Sequence, residues 1–304
     1  MKKVISFLAI ACLAVGAFAA QNITWTDYAS NPLTVPIPSG FSRAYMPSVV
    51  YNASWTKPYK MWFDTASYNG VIGVAESSDG ITWTTLGDGT CTGLNITGSR
   101  PNVIYVASAA KPYRIYYTTN VSPYPNRTAV SSDGVTFTED TTTLSYGGQY
   151  ADGHAVNYDN GIYRMILAGP SSTFAIATSY DGVSFSTTGL APAMTGISEQ
   201  PCSLVKIGDN DWRLWSYSYN TALHYSTSAD GYNFTSAEFP VNNVGSLGTA
   251  GTWNDSRNYF CSVVYLGGGN FKMWRSGVYN NTTYKTGYAT GVDSALDVRD
   301  WNLY

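Results

Sequence analysis

The segment Tyr59-Lys60-Met61-Trp62 decides the fold, because the pattern it begins recurs through the chain of 304 residues. The pattern is an aromatic, a basic and an aliphatic residue, usually followed by a second aromatic. This alternation is typical of a strand with one face in a core. The later copies are Tyr113-Arg114-Ile115-Tyr116, Tyr163-Arg164-Met165-Ile166, Trp212-Arg213-Leu214-Trp215 and Phe271-Lys272-Met273-Trp274. Successive copies are 54, 50, 49 and 59 residues apart.

A second pattern follows each of the first four copies and predicts a tight turn. Its first occurrence is Ser77-Ser78-Asp79-Gly80-Ile81-Thr82-Trp83. Glycine accepts the positive φ of such a turn and aspartate caps it. Because the motif repeats, we expect a structural rather than catalytic role for its aspartates, which are Asp79, Asp133, Asp181 and Asp230. The fifth copy degenerates to Ala289-Thr290-Gly291-Val292-Asp293.

A third pattern precedes each unit and predicts its first strand, as in Met46-Pro47-Ser48-Val49-Val50-Tyr51. Here we align Pro47 with Pro201 of the fourth unit and Tyr51 with Tyr158 of the third. Each unit then contains three strands, the Asp-Gly turn and a fourth strand. Five such units predict an all-β fold, a five-bladed β-propeller with about four antiparallel strands per blade. A solenoid fits less well, because its repeats are usually shorter and need capping ends.

The chain ends bear on domain organisation and localisation. Basic Lys2 and Lys3 precede an apolar run, which predicts a signal peptide over residues 1–20 cleaved near Ala19-Ala20. The protein is then expected outside the cell or in a periplasm, with no membrane contact in its mature form. Residues 21–304 would form one propeller with blades near 43–90, 97–145, 150–192, 198–240 and 256–304. Either residues 22–27 or Asp300-Trp301 could complete the fifth blade.

Composition excludes several classes of protein. Charged residues make up 12% of the chain and only four are glutamate, which disfavours helical bundles and coiled coils. Without the leader, 15 basic residues face 20 acidic ones, so no basic surface is expected for nucleic acid. We expect a monomer. The mature cysteines Cys91, Cys202 and Cys261 allow one disulfide and one free thiol, with the pairing left open.

The first strands of propeller blades line a central channel, and the loops entering them should meet at its mouth. Asp152 and Glu199 precede neighbouring first strands, in matching register if the alignment of Pro47 with Pro201 holds. Two carboxyl groups across a pocket are what hydrolysis of a glycosidic bond requires, one as acid and one as base or nucleophile. Alternatively, both carboxylates cap strands or pair with Arg100 or Arg257.

Other candidate site residues follow from position. Arg43, Tyr45 and Arg100 precede first strands, whereas Asp64 and Arg275 lie where second strands end at the same face. Tyr45 and Trp253 are the candidate platforms for stacking on sugar rings. His154 is either a ligand-binding or metal-binding group or a structural histidine.

The repeat residues resemble the five-bladed propeller glycosidases, which include arabinanases, β-xylosidases, invertases and levansucrases and the family 43 type of glycoside hydrolase. The likeness rests on Pro58-Tyr59-Lys60-Met61-Trp62-Phe63, on Ser78-Asp79-Gly80-Ile81-Thr82-Trp83 and on their copies through residue 290. It implies a secreted hydrolase of polysaccharide or oligosaccharide, with no organic cofactor and with a structural Ca²⁺ as an option.

The resemblance also implies roles for site residues. Glu199-Gln200-Pro201-Cys202 is loosely similar to an acid motif of the family, which makes Glu199 the expected general acid. Asp152 would be the base or an acid-tuning partner, and Arg100 would clamp substrate. Met46 stands where the family has its base, a gap that Asp152 or Asp64 would fill. The alternative is a carbohydrate-binding or adhesion propeller without catalysis.

Overall fold

The computed structural model describes residues 23–66, 70–94, 98–119, 126–144, 154–168, 174–191, 199–218, 222–235, 239–241 and 243–296. In these ranges the chain forms five antiparallel sheets of four strands each, arranged as the blades of a propeller. The prediction of an all-β five-bladed propeller is confirmed. Over the same ranges no helix is long and apolar enough to cross a membrane.

In each of the first four blades, sequence order runs from the central channel to the rim. Blade 1 contains β2 (Tyr45–Tyr51), β3 (Tyr59–Asp64), β4 (Ile72–Ser77) and β5 (Trp83–Thr90). Blade 2 contains β6 (Gly98–Tyr105), β7 (Tyr113–Thr119), β8 (Asn126–Ser131) and β9 (Phe137–Leu144). Blade 3 contains β10 (His154–Asp159), β11 (Ile162–Ala168), β12 (Phe174–Ser179) and β13 (Ser186–Ala191). Blade 4 contains β14 (Glu199–Gly208), β15 (Asp211–Ser218), β16 (Ala222–Ser228) and β17 (Phe239–Pro240).

The fifth blade joins the two ends of the chain. It contains β18 (Arg257–Gly267), β19 (Asn270–Tyr279), β20 (Thr283–Asp293) and, as its outer strand, β1 (Ile23–Asp27). Strands β1 and β20 pair from Ile23 opposite Asp293 to Asp27 opposite Ala289. Because the outer strand comes from the N-terminal side, no hairpin follows β20, and this explains the degenerate fifth turn. Asp300-Trp301, the alternative closing segment, lies outside the described residues.

The Asp-Gly turns connect the third and fourth strands of blades 1 to 4. In the first of them, Ser77 Oγ accepts a hydrogen bond from the Gly80 amide at 2.8 Å. Asp79 Oδ1 accepts from the amides of Ile81 and Thr82, both at 2.7 Å. Asp133, Asp181 and Asp230 repeat this geometry within 0.1 Å. The aspartates therefore stabilise turns, as the repetition predicts.

The repeated basic residue of each second strand packs over the first aromatic of the next blade, all the way round the ring. Such cation–π contacts join charge and ring across every interface between blades. The distances to the ring centroid are 4.7 Å for Lys60 over Tyr113, 5.7 Å for Arg114 over Tyr163, 4.5 Å for Arg164 over Trp212, 5.6 Å for Arg213 over Phe271 and 4.4 Å for Lys272 over Tyr59.

A second contact at these interfaces uses the turn glycine. Trp62 Nε1 donates to the Gly134 carbonyl of the next blade at 2.8 Å, and Trp274 Nε1 donates to Gly80 at 2.7 Å. The blade 4–5 interface lacks this bond, because blade 5 has no such turn. There, Trp215 Nε1 has no hydrogen-bond partner among the described residues.

An ion pair takes the place of the turn at the blade 4–5 interface. Arg213 Nη1 lies 2.8 Å from Asp293 Oδ2, and both side chains are almost fully buried. Arg213 also pairs with Asp211, which is partly exposed. The charges of this interface are therefore satisfied within the fold.

The inner strands are linked by serine side chains around the channel. Ser262 Oγ accepts from the Val49 amide at 2.9 Å, Ser48 Oγ from Val103 at 2.8 Å and Ser203 Oγ from Val263 at 3.0 Å. They surround a cavity of about 290 Å³ lined by residues of all five inner strands. The candidate site lies at one end of this channel.

We predict that Asp293→Asn weakens the blade 4–5 interface. Breaking a buried ion pair costs about 3–5 kcal/mol, and the remaining Arg213–Asp211 pair should reduce this to about 2–3 kcal/mol. Urea denaturation gives the change in the free energy of unfolding. Glu76→Gln is the control, because its pair with Lys57 is more exposed and should contribute less than about 1 kcal/mol. Equal losses in the two variants would contradict this account.

Candidate functional site

The candidate site is the channel end at which the inner strands begin and the second strands end. In every blade, the strand register places a residue from the start of the first strand opposite a residue from the end of the second strand. The facing pairs are Tyr45 and Asp64, Ser99 and Thr118, His154 and Leu167, Gln200 and Tyr217, and Tyr259 and Ser276. We call this end of the channel the mouth.

Within the described strands, a β-bulge shapes the mouth in four of the blades. Met46, Arg100 and Phe260 occupy the same bulge position and have φ of 51°, 54° and 45°. Non-glycine residues rarely adopt this left-handed backbone, which is a form of strain found at functional sites. A bulge bends its strand and changes the direction of nearby side chains.

The bulge also corrects the alignment of blade 4. Ser203 faces Trp215 as Ser48 faces Trp62, so these two serines are equivalent. Pro201 therefore matches Met46, and the alignment of Pro201 with Pro47 is wrong by one residue. The extra residue of the bulge hides this shift from a comparison of motifs.

Asp64 is the carboxyl group that the structure places at the mouth. Its side chain is 1% exposed, and Oδ1 accepts a hydrogen bond from the Ala66 amide at 3.3 Å. Burial raises the pKa of Asp64 to about 7, while the Ala66 amide, Arg100, Tyr45 and Arg43 offset only part of that effect. The carboxyl therefore exchanges its proton near neutral pH.

Arg43 lies beside this carboxyl, on the blade 5 side. Its guanidinium group is 4.0 Å from the ring centroid of Tyr284 and 6.0 Å from that of Tyr45. The buried Nη1 of Arg43 finds no acceptor among the described residues. Tyr45 itself is buried behind the arginine, and burial raises the pKa of its hydroxyl well above the ordinary value. The prediction that Tyr45 is a platform for sugar is thus wrong, because its ring faces Tyr284 rather than solvent.

Arg275 serves the closure of the ring. Its Nη1 and Nη2 lie 2.9 and 2.7 Å from the carboxylate oxygens of Asp27 in β1, and Nε donates to Asn258 at 3.2 Å. Its side chain is 1% exposed. We therefore leave Arg275 out of the substrate-binding set, since a ligand would have to displace this bidentate pair.

Trp253 packs on the same arginine. The ring centroid is 5.1 Å from the Arg275 guanidinium carbon, and the ring lies against Gly277 and Gly287. A Cβ at either glycine would come within 2.2 Å of the ring, so both positions require glycine. Trp253 as a whole is half-buried.

His154 is buried between blades, with 1% of its surface exposed. Burial lowers the pKa of its imidazole to about 4, the Tyr116 backbone opposes this shift and Arg100 adds to it. The ring is therefore neutral at neutral pH. Among the described residues no group of three His, Cys, Asp or Glu side chains is placed to hold a metal ion.

Of the two predicted catalytic residues, Glu199 has a described backbone and Asp152 does not. The backbone of Glu199 begins β14 opposite Ser218 and next to Gln200, which places this residue at the mouth. Its side chain is not described, and Asp152 lies outside the described residues. Two other glutamates are paired away from the mouth, Glu76 with Lys57 and Glu139 with Arg127, each at 2.9 Å. Glu238 also lies outside the described residues.

Sequence reasoning missed two tyrosines at the mouth. Tyr284 supports Arg43 from the third strand of blade 5, where only first and second strands were considered. Tyr259 faces Tyr217, with ring centroids 5.7 Å apart, and the Tyr217 hydroxyl donates to Gln200. The repeat of inner-strand motifs, if extended one residue upstream, would have pointed to Tyr259.

The channel cavity does not fit the structural Ca²⁺ that the resemblance leaves open. Calcium prefers six to eight oxygen ligands, commonly including carboxylates. The described side chains that line this cavity include no carboxylate and do include Lys206. The hydroxyls of Ser48, Ser203 and Ser262 already accept backbone hydrogen bonds.

Comparison with known proteins finds solved structures with a similar fold. No protein-family model and no curated protein sequence matches the chain. Among solved structures, an N-acetylgalactosamine deacetylase from F. plautii in complex with blood group B trisaccharide gives a TM-score of 0.68 at 15% identity, covering 93% of this chain and 100% of that one. A second structure is from the GH130 family of mannoside phosphorylases, described as containing glycoside hydrolases that target β-1,2 mannosidic linkages in Candida mannan. Its TM-score is 0.66 at 13% identity, with 88% of this chain and 93% of that chain covered.

A third similar structure is an α-L-arabinofuranosidase from Podospora anserina in complex with cellotriose. Its TM-score is 0.62 at 12% identity, with 86% of this chain and 94% of that chain covered. The first of the three removes an acetyl group and the other two descriptions name glycosidic activities, so the shared fold does not by itself fix a reaction. The resemblance to five-bladed propeller glycosidases is confirmed at the level of the fold, which this chain shares with glycoside hydrolases.

Proposed function

We propose that this protein hydrolyses glycosidic bonds of a polysaccharide or oligosaccharide at the mouth of its channel. The observation that carries the proposal is Asp64, a buried carboxyl with a pKa of about 7 beside Arg43 and Arg100. A strongly perturbed ionisable group in a concave site is a marker of function. Glycoside hydrolases are among the proteins that share this fold, which supports the proposal without deciding the reaction.

Glu199 is the proposed general acid, with Asp152 as the base or acid-tuning partner. One carboxyl would protonate the leaving oxygen while the other activates water or attacks the sugar carbon. Glu199 is supported by its place at the start of β14, next to a mouth residue, and by the pairing of Glu76 and Glu139 elsewhere. Arg43 and Arg100 would bind hydroxyl or carboxylate oxygens of the substrate.

Asp64 is proposed to position the arginines rather than to touch substrate, because its side chain is almost fully buried. Below about pH 7 it is neutral and competes weakly for the guanidinium groups. Above that pH it becomes a carboxylate and draws them away from the substrate. Three other mouth groups of the described residues keep their charge across this range, since burial lowers the pKa of His154 and raises the pKa of Tyr45 and Tyr259.

The expected biological setting follows from the N-terminal sequence. The basic and apolar leader supports secretion of a mature chain that begins near residue 21. A monomer acting on carbohydrate outside the cell or in a periplasm is the proposed form.

A non-catalytic carbohydrate-binding propeller is the second candidate, and Met46 favours it. This residue stands where the resembling glycosidases have their base. It is buried, and its amide donates to Ser276 Oγ at 2.7 Å. A thioether cannot act as a base, so this candidate predicts binding without turnover.

Glu199→Gln should lower kcat on a cleaved oligosaccharide about 10²–10⁴-fold, because amide replaces the proton donor. Arabinan, xylan, fructan and mannan fragments are the substrates to screen, with reducing-sugar release as the measurement. Glu76→Gln is the control and should retain wild-type rates, since Glu76 is paired far from the mouth. Unchanged kcat in Glu199→Gln would exclude this acid, and sugar binding without turnover in wild type would favour the second candidate.

Asp64→Asn should flatten the pH dependence of both KM and stability. The folded-state pKa of about 7 exceeds the ordinary 3.8, so the folded protein holds this proton more tightly than the unfolded chain. The free energy of unfolding therefore falls as pH rises from about 4 to about 7 in wild type, and this contribution disappears in the variant. Above pH 7 the KM should rise in wild type but not in Asp64→Asn, with kcat less affected.

Asp230→Asn is the control for that experiment. Burial raises the pKa of Asp230, but the amides of Asn233 and Tyr232 outweigh it and lower the pKa to about 2. Its contribution is constant from pH 5 to 8, so this variant should keep the wild-type slope there. A slope that persists in Asp64→Asn would contradict the assignment to Asp64.

A further inference from the structure

Two buried thiols meet between the inner strands of blades 4 and 5. The Sγ atoms of Cys202 and Cys261 are 3.0 Å apart. Non-bonded heavy atoms usually sit about 3.5–4.0 Å apart, and a disulfide requires about 2.05 Å. Closing the remaining gap of about 1 Å is within the reach of small side-chain adjustments.

A hydrogen bond beside the thiols holds the two inner strands together. Each cysteine directly precedes a serine of the ring around the channel, and Ser203 Oγ accepts the Val263 amide at 3.0 Å next to the sulfurs. Cys202 and Cys261 occupy equivalent positions, directly after the bulge position of Met46, where blades 1 and 2 have Pro47 and Pro101. Among the described residues, two cysteines thus face each other at this interface alone.

A metal ion explains the pair less well. Zinc bonds to sulfur are about 2.3 Å, so a tetrahedral site would hold two sulfurs about 3.8 Å apart and would need further ligands. The described residues offer no such group of three.

We propose that Cys202 and Cys261 form a disulfide that fastens blade 4 to blade 5, with Cys91 remaining a thiol. This interface is the one without the turn-glycine acceptor, and it carries the last blade completed by the two chain ends. The bond would therefore reinforce an interface that has no turn glycine to accept a hydrogen bond. The inference is independent of the proposed hydrolase activity.

Cys202 and Cys261 would be oxidised by exchange with the disulfide of a protein of the thiol-oxidoreductase class. Two S–H bonds and the partner's S–S bond break, one S–S bond forms between Cys202 and Cys261, and two electrons and two protons pass to the partner, which becomes a dithiol. Both thiols are buried in the finished fold, so the exchange takes place before blades 4 and 5 close. A secreted protein folds in a compartment that supplies such partners.

Peptide mapping of the exported protein, alkylated in denaturant without reductant, tests the pairing. Trypsin should release residues 165–206 joined to residues 258–272, while Cys91 appears alkylated. Reduction before alkylation should separate the two peptides, each gaining one label. Alkylated Cys202 and Cys261 in the unreduced sample, or a bond from either one to Cys91, would overturn the proposal.

Thermal unfolding gives a second readout. Reductant added in denaturant and kept through refolding should lower the Tm of wild type by several degrees, since the bond closes a loop of about 60 residues. Cys202→Ala should show no such dependence on reductant, and the matched buried control Cys91→Ala should keep it. Dependence on reductant in Cys202→Ala, or none in wild type, would contradict the bond.

Discussion

The contact between a basic side chain of one blade and an aromatic ring of the next is the interaction on which the rest of the structure depends. It occurs at all five interfaces, with the same two positions of the repeat supplying charge and ring. Because each unit gives its charge to one neighbour and its ring to the other, no unit satisfies the motif alone. The ring must close for the last pair, Lys272 over Tyr59, to form.

Closure brings the chain ends together and determines which charges remain for function. The closing strand β1 binds Arg275 through Asp27, and the blade 4–5 interface uses Arg213 and Asp293. Few residues of the chain are charged, and these ion pairs give four of them a structural role. At the mouth, Arg43 and Arg100 act on the buried carboxyl of Asp64, whose pKa lies near neutrality.

The repeats were enough to predict the propeller, its blade count and the structural role of the Asp-Gly aspartates, because each motif has a local physical cause. Side-chain alternation and turn formation both depend on residues that are close together in sequence. Placement of Asp64 at the mouth also followed, since the second strand must end where the first begins.

Features that depend on residues far apart were not predictable in this way. Arg275 has the position of a substrate-binding residue, but its partner Asp27 lies 248 residues away in sequence. Tyr45 has the position of a stacking platform for sugar, but the ring of Tyr284, which is distant in sequence, packs against it. The alignment of Pro201 with Pro47 is wrong because a bulge between Pro201 and Ser203 changes the register by one residue, and the sequence motif does not show this change.

A crystal structure of Glu199→Gln with an oligosaccharide from its cleaved polymer would test the central claim most directly. We predict a glycosidic oxygen beside residue 199 at the mouth, with sugar oxygens bound by Arg43 and Arg100. Sugar bound only at the opposite end of the channel or on the outer rim would contradict the account.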